Sequence, residues 1–180
     1  MINKNFKRIF NKYFNIFKFI IYLKYLFLIF FISLLTYLIV PKFFNFSEKQ
    51  FYIKKHLEKN YDLSIKNIEK IQYNIFPLPN LEIKNASLNF LNNDLEIEAK
   101  TIYIFPNILK IYNFKNFKSD KINFINSDIK IKTKYISSFY KKFVSQKNKI
   151  NFDKTTIKIL DDDKLVLSLT DLNYSNYGLK

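Results

Sequence analysis

The chain has 180 residues, 48% of them hydrophobic and 19% aromatic, with a formal net charge of +15, one glycine and no cysteine. That length holds one modest domain plus an anchor rather than two cores, and the apolar and aromatic content excludes disorder, collagen-like repeats and glycine-rich phosphate loops. Without cysteine there are no disulfides, thiolate metal sites or cysteine nucleophiles.

Residues 1–18 form a basic N-terminal segment, predicted to be cytoplasmic. From Phe19 to Val40 the sequence reads as one apolar helix interrupted by a single charge, Lys24. At 1.5 Å per residue it reaches about 33 Å, enough for a hydrocarbon core of about 30 Å, and Lys24 is near enough to its start to snorkel. Pro41, Lys42, Phe43 and Phe44 follow in place of the small residues of a signal-peptidase site, so the helix is expected to stay as a transmembrane anchor. Lys4, Lys7, Arg8, Lys12, Lys18 and Lys24 precede the first acidic residue, Glu48. The positive-inside rule therefore predicts a cytoplasmic N-terminus, with residues 41–180 across the membrane.

Ser47 and Gln50 form a capping-box pattern before Ile53, Leu57 and Tyr61 at helical spacing, which predicts a short helix over 48–60. His56, the only histidine, reads as a surface residue of this helix, with no second ligand near it in sequence. From Leu63 the period changes to two: Leu63/Ile65, Ile71/Tyr73/Ile75, Leu81/Ile83, Leu88/Phe90, Leu95/Ile97/Ala99, Ile102/Ile104, Ile129/Ile131 and Ile157/Ile159. Turns without glycine, such as Asn92-Asn93-Asp94 and Asp161-Asp162-Asp163-Lys164, separate them, so antiparallel hairpins are expected. Residues 106–112 and 135–146 read as helical connectors at a sheet edge. A final hairpin spans Thr155 to Leu169, and the end at Tyr177 to Lys180 reads as a C-terminal truncation.

No G-x-S-x-G, H-E-x-x-H or Walker motif occurs, and the acidic run at 161–163 lacks the glycine and distal glutamate of a calcium loop. The reading is of a non-enzyme with no metal and no cofactor. The basicity points to anionic partners. Nucleic acid is excluded by the near absence of arginine, Arg8 being the only one, and by the predicted topology; the excess of Lys, Asn, Ile, Phe and Tyr is also what AT-rich coding composition produces.

The order of features resembles the N-terminal region of the AsmA-like family. The resemblance is carried by an anchor ending at Pro41, a short helix, an aromatic-proline stretch at Ile75-Phe76-Pro77-Leu78-Pro79, and the strand Leu81-Glu82-Ile83-Lys84-Asn85-Ala86. It extends to Ile97 to Ile104, the turn Pro106 to Lys110 and the strand pair Lys121 to Ile129. The chain departs from the family in lacking its glycines and its long C-terminal continuation. The resemblance implies a single N-terminal transmembrane helix followed by an α+β, mainly antiparallel β domain: a curved open sheet, or β-groove, with short connecting helices. It implies an inner-membrane protein with a periplasmic domain that binds or conducts phospholipid for outer-membrane homeostasis, alone or with other envelope proteins. Leu81, Ile83, Leu95, Ile97, Ile102 and Ile104 are then the expected groove-lining residues. An LptC-like β-jelly-roll of lipopolysaccharide export and a non-transporting scaffold suit the same length and anchor.

Overall fold

The computed structural model describes residues 2–90 and 95–176, with side chains of the first helix described from Phe17 onward. The expected Asn92-Asn93-Asp94 turn and the terminal segment from Tyr177 to Lys180 lie outside the described residues. The chain divides into two compact units, Met1–Val40 and Pro41–Lys180.

The first unit is helix α1, Ile2–Ile39. Its apolar stretch, continued to Phe43, is long and apolar enough to cross a membrane, and no residue from Phe17 to Val40 is buried.

A 3-10 turn, Val40–Phe43, leads into the second unit, whose first helix is α2, Phe46–Tyr61. The N-cap is Asn45 rather than Ser47: its Oδ1 accepts from the Ser47 backbone N–H at 3.1 Å, and its Nδ2 donates to Glu48 Oε1 at 2.8 Å. Asparagine caps as well as serine does, and Glu48 also favours the positive end of the helix dipole. Asp62, in the left-handed region at φ 55°, stops the helix, and its N–H returns to Glu58 O.

Seven strands follow: β1 Leu63–Asn67, β2 Lys70–Asn74, β3 Asn80–Phe90, β4 Leu95–Pro106, β5 Ser119–Lys132, β6 Lys149–Asp161 and β7 Lys164–Ser175. They form one open sheet in the order β1-β3-β4-β5-β6-β7, and β2 shares the β3 edge with β1. Not every connection is a hairpin. β5 and β6 run parallel, joined by a 3-10 turn, Thr133–Tyr135, and helix α3, Ile136–Val144. Parallel neighbours require such a crossover. The expected 106–112 helix contracts to a 3-10 turn at Ile108–Lys110, because Pro106 is still paired in β4.

The strands are longer than strict alternation predicts, because the inward set changes phase within them. In β3 the buried residues are Leu81 and Ile83, then Ala86, Leu88 and Phe90; in β4, Leu95, Ile97 and Ala99, then Ile102 and Ile104. β5 and β6 shift likewise, from Phe124 to Ser127 and from Phe152 to Thr155. Asn85, Asn126 and Lys154 adopt positive φ at or beside these shifts, and the register Lys84↔Thr101↔Ile125↔Asp153 aligns them across four strands. A strand bends where its pleat is interrupted, so four phase changes in line, three of them at a positive-φ residue, bend the sheet. The adjoining inward row is small, Ala86, Ala99, Ser127 and Thr155, with the last two hydroxyls 2.7 Å apart.

Three strands carry the device as one repeated pattern, apolar-x-apolar-x-Asn/Lys-small-x-apolar-x-apolar, at residues 81–90, 122–131 and 150–159. Asparagine tolerates the left-handed region through local hydrogen bonding. Lys154 has no such help of its own, but its N–H donates to Asn173 Oδ1 at 2.9 Å.

The inward face is covered by α2, through Phe46, Ile53, Leu57 and Tyr61, by Phe114 and Phe117 of the β4–β5 connection, and by Phe139 and Phe143 of α3. The outward face is polar and carries cross-strand ion pairs: Lys66–Glu96 at 3.3 Å, Lys130–Glu98 at 2.8 Å and Lys158–Asp128 at 2.8 Å.

Candidate functional site

The six residues expected to line a groove share the inward face, as alternation requires once the phase change is included. Leu81, Ile83 and Ile104 are fully buried, and Leu95, Ile97 and Ile102 are 1% exposed. They pair directly as Leu81↔Ile104 and Ile83↔Ile102. They do not border an open trough. The space above them is filled by the aromatic and aliphatic side chains of α2, α3 and the β4–β5 connection, which makes them the packed core.

The same face is open elsewhere. Cross-strand pairing aligns Leu63, Phe90, Leu95, Ile131, Ile159 and Leu167 in one row, and Ile65, Leu88, Ile97, Ile129, Ile157 and Leu169 in the next. From β1 to β5 every member is buried; on β6, Ile157 and Ile159 are half-buried; on β7, Leu167 is 45% and Leu169 41% exposed. Two apolar rows thus run out from beneath the helices onto an uncovered strand. Leu165, which pairs with Leu160 beyond a register shift, and Val166 are exposed as well. The sequence signal was present in Leu165-Val166-Leu167-Ser168-Leu169, but alternation alone does not say where the helical cover stops.

His56 is buried, contrary to the surface position expected. Its ring Nδ1 accepts from Asn60 Nδ2 at 3.0 Å, leaving Nε2 to donate to Ser119 Oγ at 2.8 Å, and Ser119 Oγ is 2.9 Å from the Tyr61 hydroxyl. His56 is three residues after Ile53 and so falls within the arc of Ile53, Leu57 and Tyr61, the spacing that could have located it. Burial, together with the Lys118 ammonium and against the Phe117 carbonyl, lowers its pKa to about 4. Burial, helped by Asp120 and opposed by the Ser119 hydrogen bond, pushes the Tyr61 phenol up to about 12. Both are neutral at physiological pH and hold α2 on β5 rather than exchange protons.

Above this network lies a cleft of about 540 Å³ whose lining includes Lys55, Lys59, Lys115 and Lys118 with Asn60, Asn116 and Asn148. It is electropositive and polar, able to meet an anionic group through ammonium and amide donors. The acidic run at the β6–β7 tip has local partners: Asp161 Oδ1 accepts from Thr133 Oγ1 at 2.9 Å, and Asp163 pairs with Lys132 at 3.0 Å.

The fold and these surfaces define a chain with one apolar N-terminal helix, long enough to span a membrane, followed by a mostly antiparallel open sheet covered on one face. No protein-family model matches the sequence, and a search of characterised proteins returns no match.

Proposed function

We propose that this is a membrane-anchored envelope protein of the AsmA-like kind, with its N-terminus in the cytoplasm and its sheet domain in the periplasm, that holds phospholipid acyl chains on the open end of its inward sheet face. The observation that carries the reading is the pair of apolar rows leaving the core at β6 and remaining uncovered on β7. An acyl chain laid along them is removed from water, worth about 0.8 kcal/mol per buried CH₂. No bond-making residue is needed for that. The basic N-terminal segment supports the orientation, and the resemblance supports the compartment and the lipid class.

The open sheet weighs against a closed jelly-roll, since β7 and the β1/β2 edge are at opposite ends of the strand order. A scaffold without lipid is favoured by a different observation, the complete burial of the six residues first expected to touch lipid. The two readings separate on lipid content. The full chain, purified in mild detergent, is extracted and its phospholipid quantified by mass spectrometry beside the double variant Leu167→Asp/Leu169→Asp. Lipid carriage predicts bound phospholipid that the double variant loses while its circular dichroism is unchanged. Equal lipid in both proteins, or none in either, leaves the scaffold.

A further inference from the structure

The two ends of the sheet differ in chemistry. One end gathers the connections 75–79, 107–118 and 145–148, together with the chain's entry into the domain at 41–46. On it Phe76 and Leu109 are each 85% exposed, Phe43 81% and Leu78 56%. Leu78, Pro79, Phe105, Pro106 and Ile108 line one cleft together with Asp120, Lys121 and Lys149, so the β2–β3 and β4–β5 tips are neighbours.

Lys42, Lys110, Lys115, Lys118 and Lys147 stand on the same four segments, which contain no aspartate or glutamate. Among the described residues none of these five forms an ion pair. The β6–β7 tip at the opposite end carries Asp161, Asp162 and Asp163, and Lys132 there pairs with Asp163.

Single exposed apolar side chains are ordinary. Large ones grouped on neighbouring tips and rimmed by unpaired lysines have the composition of an interfacial membrane contact, where the rings enter the headgroup region and the ammonium groups meet anionic lipid. The chain itself argues for the occupant. The apolar span runs through Phe43, and the next residue, Phe44, packs edge-on against Tyr112 and Phe114 at ring-centroid distances of 5.6 and 6.0 Å. In sequence the apolar stretch is followed directly by Phe44, with no linker residues between.

We propose that this end of the sheet docks on the surface of the bilayer that holds the anchor, inserting Phe76, Leu78 and Leu109 among headgroups and pairing its lysines with anionic lipid. The docking rests on Phe17–Phe43 being a span and not on lipid carriage at β6–β7, so the two readings fail separately.

The absence of native cysteine allows single labels. Phe76→Cys, Leu109→Cys, Asp162→Cys and Phe30→Cys, each carrying an environment-sensitive fluorophore, are reconstituted as the full chain in phosphatidylcholine vesicles with and without phosphatidylglycerol, and spin-labelled lipid is the quencher. Docking predicts several-fold stronger quenching at 30, 76 and 109 than at 162, with the signal at 76 and 109 rising with phosphatidylglycerol and falling with salt. Quenching at 30 alone overturns the docking, and no quenching at 30 overturns it by removing the span.

Discussion

Replacing Ile97 and Leu167 by alanine, one at a time, separates the covered from the uncovered part of a single apolar face. Ile97 is 1% exposed and flanked in its row by Leu88 and Ile129, which are equally enclosed. Truncation there removes buried methyl and methylene groups and leaves a cavity the helices cannot fill, costing about 3 kcal/mol. Leu167 is 45% exposed on an edge strand, so Leu167→Ala costs about 0.5 kcal/mol. The assay is urea unfolding of the full chain in mild detergent, followed by the fluorescence of its 13 tyrosines, there being no tryptophan. The corresponding aspartates sharpen the contrast: Ile97→Asp buries an unpaired charge and unfolds the domain, while Leu167→Asp leaves it folded. Equal midpoint shifts for the two alanine variants would refute the division into core and open face.

Acidification tests the His56 network. The pKa in the folded chain is about 4 against the ordinary histidine value of 6.5, so the unfolded state binds the extra proton first; the contribution is complete above pH about 6.5 and is lost as pH falls through about 4. After allowance for solvent screening it amounts to about 2 kcal/mol. The His56→Gln variant should therefore lose less stability than the parent between pH 7 and pH 4.5, and equal losses by urea titration contradict the burial argument. Asn45→Ala removes the α2 cap and should lower stability by about 1 kcal/mol, read from the same urea curves. Lys154→Asn places a left-handed-tolerant residue at φ 51° and should raise the melting temperature, by about 0.5 kcal/mol in stability; a lower melting temperature means that the lysine side chain contributes something the backbone argument omits.

The apolar N-terminal helix and the α2 stripe were legible because their signals are long and periodic: an uncharged run from Tyr25 to Val40, and Ile53, Leu57 and Tyr61 four residues apart. Strand existence was legible for the same reason. Strand length was not, because Leu81/Ile83 and Leu88/Phe90 have opposite parity and read as two strands until Asn85 is seen to shift the phase inside one. The parallel β5–β6 pairing depends on where α3 carries the chain, which a helix-period pattern does not specify.

The six groove candidates are buried, and their exposure depends on what covers the face they share. That cover comes from Phe114, Phe117, Phe139 and Phe143 in connections whose register against the sheet is not written in alternation. His56 was misplaced because its lysine neighbours Lys54, Lys55 and Lys59 suggested solvent, while its partner Ser119 is 63 residues away.

Photo-crosslinking in intact membranes tests the account most directly. A benzophenone side chain placed at Leu167 or Leu169 of the full chain, with Ile97 and Asp162 as buried and solvent-facing controls, reports what occupies the open end of the sheet. The account predicts phospholipid adducts at 167 and 169 and none at 97 or 162, whereas adducts confined to protein, or absent from 167 and 169, would contradict it.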